Sequence, residues 1–363
     1  MGRDDRIEYG SDAHWFDTAG GPTPAASEYP WGSSAVLFGS GRDAMRVLVA
    51  WGAREHGWRR VWLPSYYCQD VPAALCGIGP PDVELCAYPD APDRPDPGLH
   101  GLPVTRGDVV VVANQLGTRR RPADLGAAAR DAVIVEDHSH DLASPWAMTS
   151  RAHYAIASLR KTLPLPDGGV VWSPQALALP PEPALTEAHA SAALARLSAM
   201  VLKARYLAGA AVDKATYLAE ARSGAERIAK GPPSGIAPVS RAMLATFPVA
   251  AWRRKRRRNF GVLLRALGPL GTARVIRPPA GAVPFALTLV FDTAARRDAA
   301  RHALIAARVY PAVLWSLDEP VMDGIPAEHV DLARRVLSIH CDQRYGAADM
   351  IRIAEIAKPL LGT

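Results

Sequence analysis

Between residues 60 and 172 the chain repeats one pattern, a short apolar run of strand length that stops at a proline or a polar residue. Arg60-Val-Trp-Leu63 ends at Pro64, Asp108-Val-Val-Val-Val-Ala113 at Asn114, Ala132-Val-Ile-Val135 at Glu136-Asp137, and Tyr154-Ala-Ile-Ala157 at Ser158. Val170-Val-Trp172 follows the Gly168-Gly169 turn, and helical patterns at 69–76 and 122–130 lie between some of the runs. Uninterrupted apolar strands separated by helices predict a mostly parallel sheet covered on both faces. Such sheets bind ligands at the carboxyl ends of their strands. Tyr66, Tyr67, Asn114, Asp137 and Ser158 all follow a predicted strand.

The flanking segments read differently. Residues 1–35, with Trp15, Phe16, Tyr29 and Trp31, form an irregular arm suited to packing on a partner subunit. Ser40-Gly41-Arg42-Asp43 opens a helix that runs to about His56, with Ala44, Val47, Leu48 and Trp51 as its apolar stripe. An Ala-rich helical stretch over 181–232 is broken by Gly231-Pro-Pro-Ser-Gly235, and a helix is predicted over 239–268. Strands at Phe285–Phe291 and Val336–Ile339, with helices near 294–307 and 347–360, complete an α+β unit. The expected division is an arm (1–35), a large α/β domain (36–180), a helical connection (181–235) and a small C-terminal domain (236–363). A chain of 363 residues can bury cores of that size.

The first 160 residues contain many arginines and no lysine; Lys161 is the first of only six. A coding bias toward arginine explains why lysines are rare, but not why one stands in Ser158-Leu-Arg-Lys161, just before a Gly-Gly turn. Arginine cannot give up its proton in a protein, whereas a lysine can when its surroundings lower its pKa. An amine that forms a Schiff base with an aldehyde cofactor is one use of such a residue.

The formal charge of +6 comes largely from Arg253-Arg-Lys-Arg-Arg-Arg258 and Arg119-Arg120-Arg121. Trp252, Phe260, Leu263, Leu264 and Leu267 flank the longer run at helical spacing. It therefore reads as the solvated start of a packed helix, and no nucleic-acid partner is expected. None of Cys68, Cys76, Cys86 and Cys341 forms a CxxC pair, so zinc-ribbon spacing is absent and a reduced cytoplasmic protein is expected. The N-terminus has no apolar signal region, and no apolar run is long enough to span a bilayer.

Taken in order, Ser40-Gly41-Arg42-Asp43, Tyr66-Tyr67, Asp137-His-Ser-His140 and Ser158-x-x-Lys161 resemble the DegT-type aminotransferases, pyridoxal-phosphate enzymes of fold type I that aminate sugars. The resemblance covers most of the first 175 residues and weakens over 180–250. It implies a large domain with a mostly parallel sheet between helices, plus a smaller α+β domain. It also implies pyridoxal 5'-phosphate bound through an internal aldimine on Lys161. Gly41, Arg42 and Asp43 would sit at the phosphate, where a helix N-terminus suits an anion, with Ser158 beside them. Asp137 would hold the pyridine nitrogen protonated, His140 would contact the ring hydroxyl, and Tyr67 would stack on the ring. Asn114 and Tyr66 would line the substrate site. The reaction would pass an amine from a donor, with glutamate a candidate, to a carbonyl acceptor in a nucleotide-sugar or secondary-metabolite pathway. The protein would be a homodimer with shared active sites.

The chain departs from the family in places. The usual glutamate before the glycines is Asp167, and the Asn-Tyr-Arg stretch that serves the neighbouring subunit's site has no clear match; Ile236-Ala-Pro-Val-Ser240-Arg241 stands about there. Those departures leave the acceptor open, and with it non-transaminating chemistry on the same fold. Two rivals remain at this stage. A metal-dependent hydrolase could use Asp137, His138 and His140, which alternate along an extended stretch so that the two histidines share a face. A non-catalytic relative could keep the fold as a binding module.

Overall fold

The structure, a computed structural model, describes residues 6–10, 12–15, 28–78, 82–126 and 128–361. Residues 16–27 of the predicted arm, including Phe16, lie outside the described residues. The described part of the arm packs on its own chain. β1 (Tyr9–Gly10) pairs in parallel with Val309–Tyr310, and the Gly10 N–H donates to the Tyr345 hydroxyl at 2.7 Å.

The central layer follows in chain order: β2 (Val36–Phe38), α1 (Gly41–His56), β3 (Arg60–Pro64), α2 (Asp70–Leu75), β4 (Glu84–Tyr88), β5 (Asp108–Ala113), α3 (Ala128–Asp131), β6 (Val133–Asp137), α4 (Pro145–Met148), β7 (Tyr154–Ser158) and β8 (Gly169–Trp172). Its strands form a seven-stranded sheet in the order β2-β8-β7-β6-β5-β3-β4. The five strands from β7 to β4 run parallel, and β8 and β2 close one edge antiparallel. The expected α/β fold is thus the observed one. β5 is buried at every position, as its unbroken valines require.

α1 starts where Ser40 Oγ accepts the Asp43 N–H at 3.1 Å, and it ends at Gly57, whose φ of 67° is left-handed. Ala44, Met45, Leu48 and Val49 have no exposed surface and form the face that α1 lays on the sheet. Truncating one such leucine to alanine costs about 2–5 kcal/mol.

Beyond β8, helices α5 (Glu187–Leu207) and α6 (Lys214–Lys230) form an antiparallel pair. The helix expected over 239–268 is two helices, α7 (Pro238–Leu244) and α8 (Val249–Leu267), because Pro248 cannot donate the backbone bond that a continuous helix needs there. β9 (Ala273–Val275), β10 (Ala286–Phe291), α9 (Ala294–Ala306), β11 (Val309–Tyr310), α10 (Ala327–Arg335), β12 (Val336–His340) and α11 (Ala347–Ala357) follow. β12, β10 and β9 form a three-stranded antiparallel sheet that packs on α8 and α11. The predicted helix at 122–130 shrinks to the single turn of α3.

Both basic runs turn a residue inward, the longer one against the expectation of a solvated helix start. Arg119 donates from Nη1 to Asp90 Oδ2 at 2.8 Å, from Nη2 to Asp90 Oδ1, and from Nη2 to the Ala91 carbonyl at 2.6 Å. Its side chain is 2 % exposed and that of Asp90 is fully buried. The Arg119 N–H also donates to Asn114 Oδ1 at 3.3 Å, so the pair pins the loop that leaves β5. Breaking a buried pair leaves one charge uncompensated. Asp90→Ala is expected to lower the unfolding free energy by about 3–5 kcal/mol, whereas Arg120→Ala, whose only side-chain hydrogen bond among the described residues is an exposed one to Ala280 O, should change it by less than about 0.5 kcal/mol. Urea unfolding of both variants checks this.

Candidate active site

The parallel strands deliver the predicted residues to one edge. Asp137 ends β6, Ser158 ends β7, and Tyr66 and Tyr67 follow β3. The register fixes their heights: Ala113 pairs with Asp137, and Asp137 with Ile156. Two backbone bonds past the strand ends continue the alignment, from Asn114 N–H to Asp137 O and from His138 N–H to Ile156 O, each 2.9 Å.

Asp137 is buried and holds two donors. Oδ1 accepts the Ser139 N–H at 2.8 Å, and Oδ2 accepts the Tyr67 hydroxyl. Burial and the adjacent Asp137 charge push the Tyr67 phenol well above its ordinary value, so it remains a donor. Tyr67 therefore orients the carboxylate through its hydroxyl.

Lys161 sits in the single 3-10 turn after β7, half-buried, with Nζ 3.3 Å from His140 Nε2 and 5.2 Å from the Trp315 ring centroid. His140 Nδ1 accepts the Leu116 N–H at 3.2 Å. Burial, and then the Lys161 charge, hold the His140 ring well below its ordinary pKa, with a backbone carbonyl at Asn114 acting in opposition. The neutral ring with Nδ1 accepting carries its proton on Nε2, the nitrogen facing Nζ. Leu116 makes this contact from φ 54°, a left-handed conformation that costs a non-glycine residue about 1–2 kcal/mol. The strain sits in the loop that the Arg119–Asp90 pair anchors.

Trp315 was not anticipated. Its ring lies 5.5 Å from His140, 6.4 Å from Tyr67 and 6.1 Å from Tyr66. It comes from the irregular segment before α10, where no periodic pattern marks a functional aromatic.

Other expected residues are placed as follows. A Cβ on Gly41 would lie 2.7 Å from Ser158 Cβ, so the start of α1 abuts Ser158. The Arg42 guanidinium turns to Asp70 at 3.3 Å. Asp43 is buried at the first turn of α1, with Oδ2 making no hydrogen bond among the described residues. Asn114 and Tyr66 do not line the large cavity beside Lys161: Asn114 is 1 % exposed, and the fully buried Tyr66 donates its hydroxyl to the Leu314 carbonyl. Asp167, also fully buried, accepts from Ala237 N–H at 2.8 Å and from Ser240, and its Oδ2 lies 2.9 Å from His189 Nε2. It ties the glycine turn to α5 and α7.

The two histidines do not share a face. The Asp141 N–H donates to His138 O at 3.2 Å, which curls the stretch into a turn. His138 Nε2 faces Glu136 at 2.9 Å, while His140 faces Lys161. Among the described residues no group of three His, Cys, Asp or Glu could hold a metal ion. No helix of the described residues is long and apolar enough to cross a membrane.

A cavity of about 550 Å³ opens beside Lys161 and Ser158. Sequence reading missed one of its walls, Arg256 of the basic run, which is 4 % exposed. The signal was present. Arg256, Phe260, Leu263 and Leu267 recur at steps of three and four, and all are buried.

No family model and no curated protein matches the sequence. Solved structures do match the fold. DesV from S. venezuelae, in complex with a ketimine intermediate, is 17 % identical over 96 % of this chain and 91 % of that chain, with a TM-score of 0.61. A DegT DnrJ EryC1 StrS aminotransferase from Brucella abortus is 15 % identical over 91 % and 86 %, with a TM-score of 0.57. NtdA from Bacillus subtilis, with bound cofactor PMP, is 12 % identical over 90 % and 73 %, with a TM-score of 0.57. This chain has the fold that these structures share.

The Asp43 carboxyl is raised from 3.8 to about 6 by burial, against its Ser40 hydrogen bond and the nearby His189 and arginine charges. Below 3.8 the folded and unfolded chains both hold the proton. As pH climbs from 3.8 to about 6 only the unfolded chain releases it, so folded stability falls; above that the loss is complete. Asp43→Asn should match the wild type in thermal melts near pH 4 and exceed it by about 1–3 kcal/mol at pH 8.

Proposed function

We propose that this protein is a pyridoxal-phosphate-dependent aminotransferase that passes an amino group to a carbonyl acceptor, with Lys161 as the residue that takes the cofactor. The observation that carries the reading is the clustering of Lys161, His140, Asp137 and Tyr67 around Trp315 at the carboxyl edge of the parallel sheet. The likeness to solved aminotransferases supports it.

The residues fit the cofactor. Asp137 accepts two hydrogen bonds, and a carboxylate has about four acceptor positions, so capacity remains for a protonated ring nitrogen. Glycine at 41 lets the N-terminus of α1 approach Ser158, and a helix N-terminus beside a hydroxyl suits a phosphate. When bound, pyridoxal phosphate supplies an aldehyde that condenses with amines and a ring that accepts electrons.

The chain's own residues do the rest. Asp137, oriented by Tyr67 and Ser139, would hold a proton on the ring nitrogen. His140, its tautomer set by Leu116, points Nε2–H at Lys161 Nζ. The unprotonated form of a lysine nitrogen is the one that attacks an aldehyde. With its lone pair free, Lys161 Nζ would take the proton from the donor's α-carbon and hold it as an ammonium. The indole of Trp315 lies against the amine, its ring centroid 5.2 Å from Nζ. In the same reading the donor is an amino acid such as glutamate, the acceptor is a sugar or related carbonyl compound of a biosynthetic pathway, and the enzyme is a cytoplasmic homodimer.

Adding pyridoxal phosphate should produce an absorbance band above about 400 nm. Borohydride reduction followed by peptide mass analysis should place the adduct on Lys161, and Lys161→Ala should show neither band nor adduct. A wild-type protein that stays colourless with added cofactor, or full aminotransferase activity in Lys161→Ala, rules the reading out.

A further inference from the structure

Asp141, the residue after His140, takes no part in the chemistry above, yet its carboxylate is tightly held. Its side chain is 3 % exposed. Arg253 on α8 forks onto it, with Nε 3.0 Å from Oδ1 and 3.1 Å from Oδ2, and Nη2 2.9 Å from Oδ2. A buried carboxylate needs such a partner, because a charge withdrawn from water without a counter-charge is costly. The Asp141 backbone shares the turn that carries His140. Its N–H donates to His138 O at 3.2 Å, and its carbonyl accepts the Ser144 N–H at 3.1 Å.

The same guanidinium reaches a second element. Arg253 Nη2 also donates to the Gly281 carbonyl at 2.9 Å. Gly281 belongs to the irregular strap between β9 and β10. Farther along the strap, the Phe285 N–H donates to Leu116 O at 2.8 Å, and the Phe285 ring lies 5.2 Å from the His140 ring. Between these points Val283 O would lie 2.7 Å from a Cβ on Gly117, so the strap runs flush against the loop after β5. Leu116 is therefore held from both sides, its N–H by His140 Nδ1 at 3.2 Å and its carbonyl by the strap. The contacts close a ring that runs from Arg253 through Asp141, His140, Leu116, Phe285 and Gly281 back to Arg253.

We infer that Arg253 is the positioning residue of the His140–Lys161 pair, fixing the His140 ring through Asp141 on one side and through the strap on the other. His140 Nε2 stands 3.3 Å from Lys161 Nζ, so a small displacement of the ring takes the two nitrogens out of hydrogen-bond reach. Arginine suits the role because its planar fork grips a carboxylate and a carbonyl together, whereas an ammonium on a flexible stem presents no such fork. The effect on the amine's chemistry rests on the aminotransferase reading; the placement of the ring does not.

Nitrogen NMR spectra of the histidine imidazoles in the unloaded protein test the placement. Wild-type His140, identified by the loss of its signals in His140→Gln, should give the two well-separated nitrogen resonances of one neutral tautomer. Arg253→Ala should draw them together as both tautomers become populated, and Arg253→Lys, which keeps the charge without the fork, should fall between. Arg60→Ala removes a like fork from the buried Asp108 at the opposite end of β5 and should leave them unchanged. Asp141→Asn keeps the side chain's shape and should move them as Arg253→Ala does, so the test holds even where the alanine variant fails to fold. A wild-type His140 spectrum in folded Arg253→Ala or Asp141→Asn overturns the inference, as does an equal change in Arg60→Ala. The rate at which Lys161 takes up pyridoxal phosphate, read by borohydride trapping, should fall roughly tenfold or more in Arg253→Ala. An unchanged rate overturns the role at the amine while the aminotransferase reading stands. If the wild type takes up no pyridoxal phosphate, that reading fails by itself, and the spectra still decide the placement of the ring.

Discussion

The register of β5, β6 and β7 sets everything at the site. Ala113 opposite Asp137, and Asp137 opposite Ile156, put the Asp137 carboxylate at the sheet edge and start the Ser158–Lys161 turn one strand away. A slip of one residue in β6 would send Asp137 to the other face of the sheet and break its bonds with Tyr67 and Ser139. The unbroken valines of β5 and the apolar residues of β6 and β7 hold that register, because both faces of these strands are buried. The geometry of the candidate site is therefore a consequence of core packing. The bonds from Asn114 N–H to Asp137 O and from His138 N–H to Ile156 O carry it past the strand ends.

Strain and charge are concentrated just beyond that ordered layer. Leu116 takes a left-handed conformation to give its N–H to His140, and the buried Arg119–Asp90 pair fixes the loop that contains it. His140 in turn faces Lys161. The chain of contacts from Asp90 to Lys161 links a structural ion pair to the Lys161 amine through named hydrogen bonds. Trp315 closes the group from the C-terminal part of the chain, so the amine is framed by residues from both the seven-stranded sheet and the segment before α10.

Residues whose position follows from a strand end were legible in the sequence. Asp137, Ser158 and Tyr67 stand at the carboxyl edge because apolar runs of strand length end there, and Lys161 stood out as the one lysine beside a glycine turn. Features set by turns and by tertiary contact were harder to read. His138 and His140 diverge because the Asp141 N–H bonds back to His138 O, and local sequence gives no strong turn signal at that point. Arg256 was read with its run as part of the solvated start of a helix, yet it faces inward, as Arg119 does in the shorter run. The recurrence of Arg256 with Phe260 and Leu263 carried that information, while nothing in the segment around Trp315 did.

The most direct test of this account is a crystal structure of the protein grown with pyridoxal phosphate. The account predicts continuous density from Lys161 Nζ to the cofactor, the ring nitrogen within about 3 Å of an Asp137 carboxylate oxygen, and the phosphate at Ser158 and the start of α1. A cofactor bound elsewhere, or a Lys161 still resting on His140 with no density joined to it, would contradict the claim that these strand ends form a pyridoxal-phosphate site.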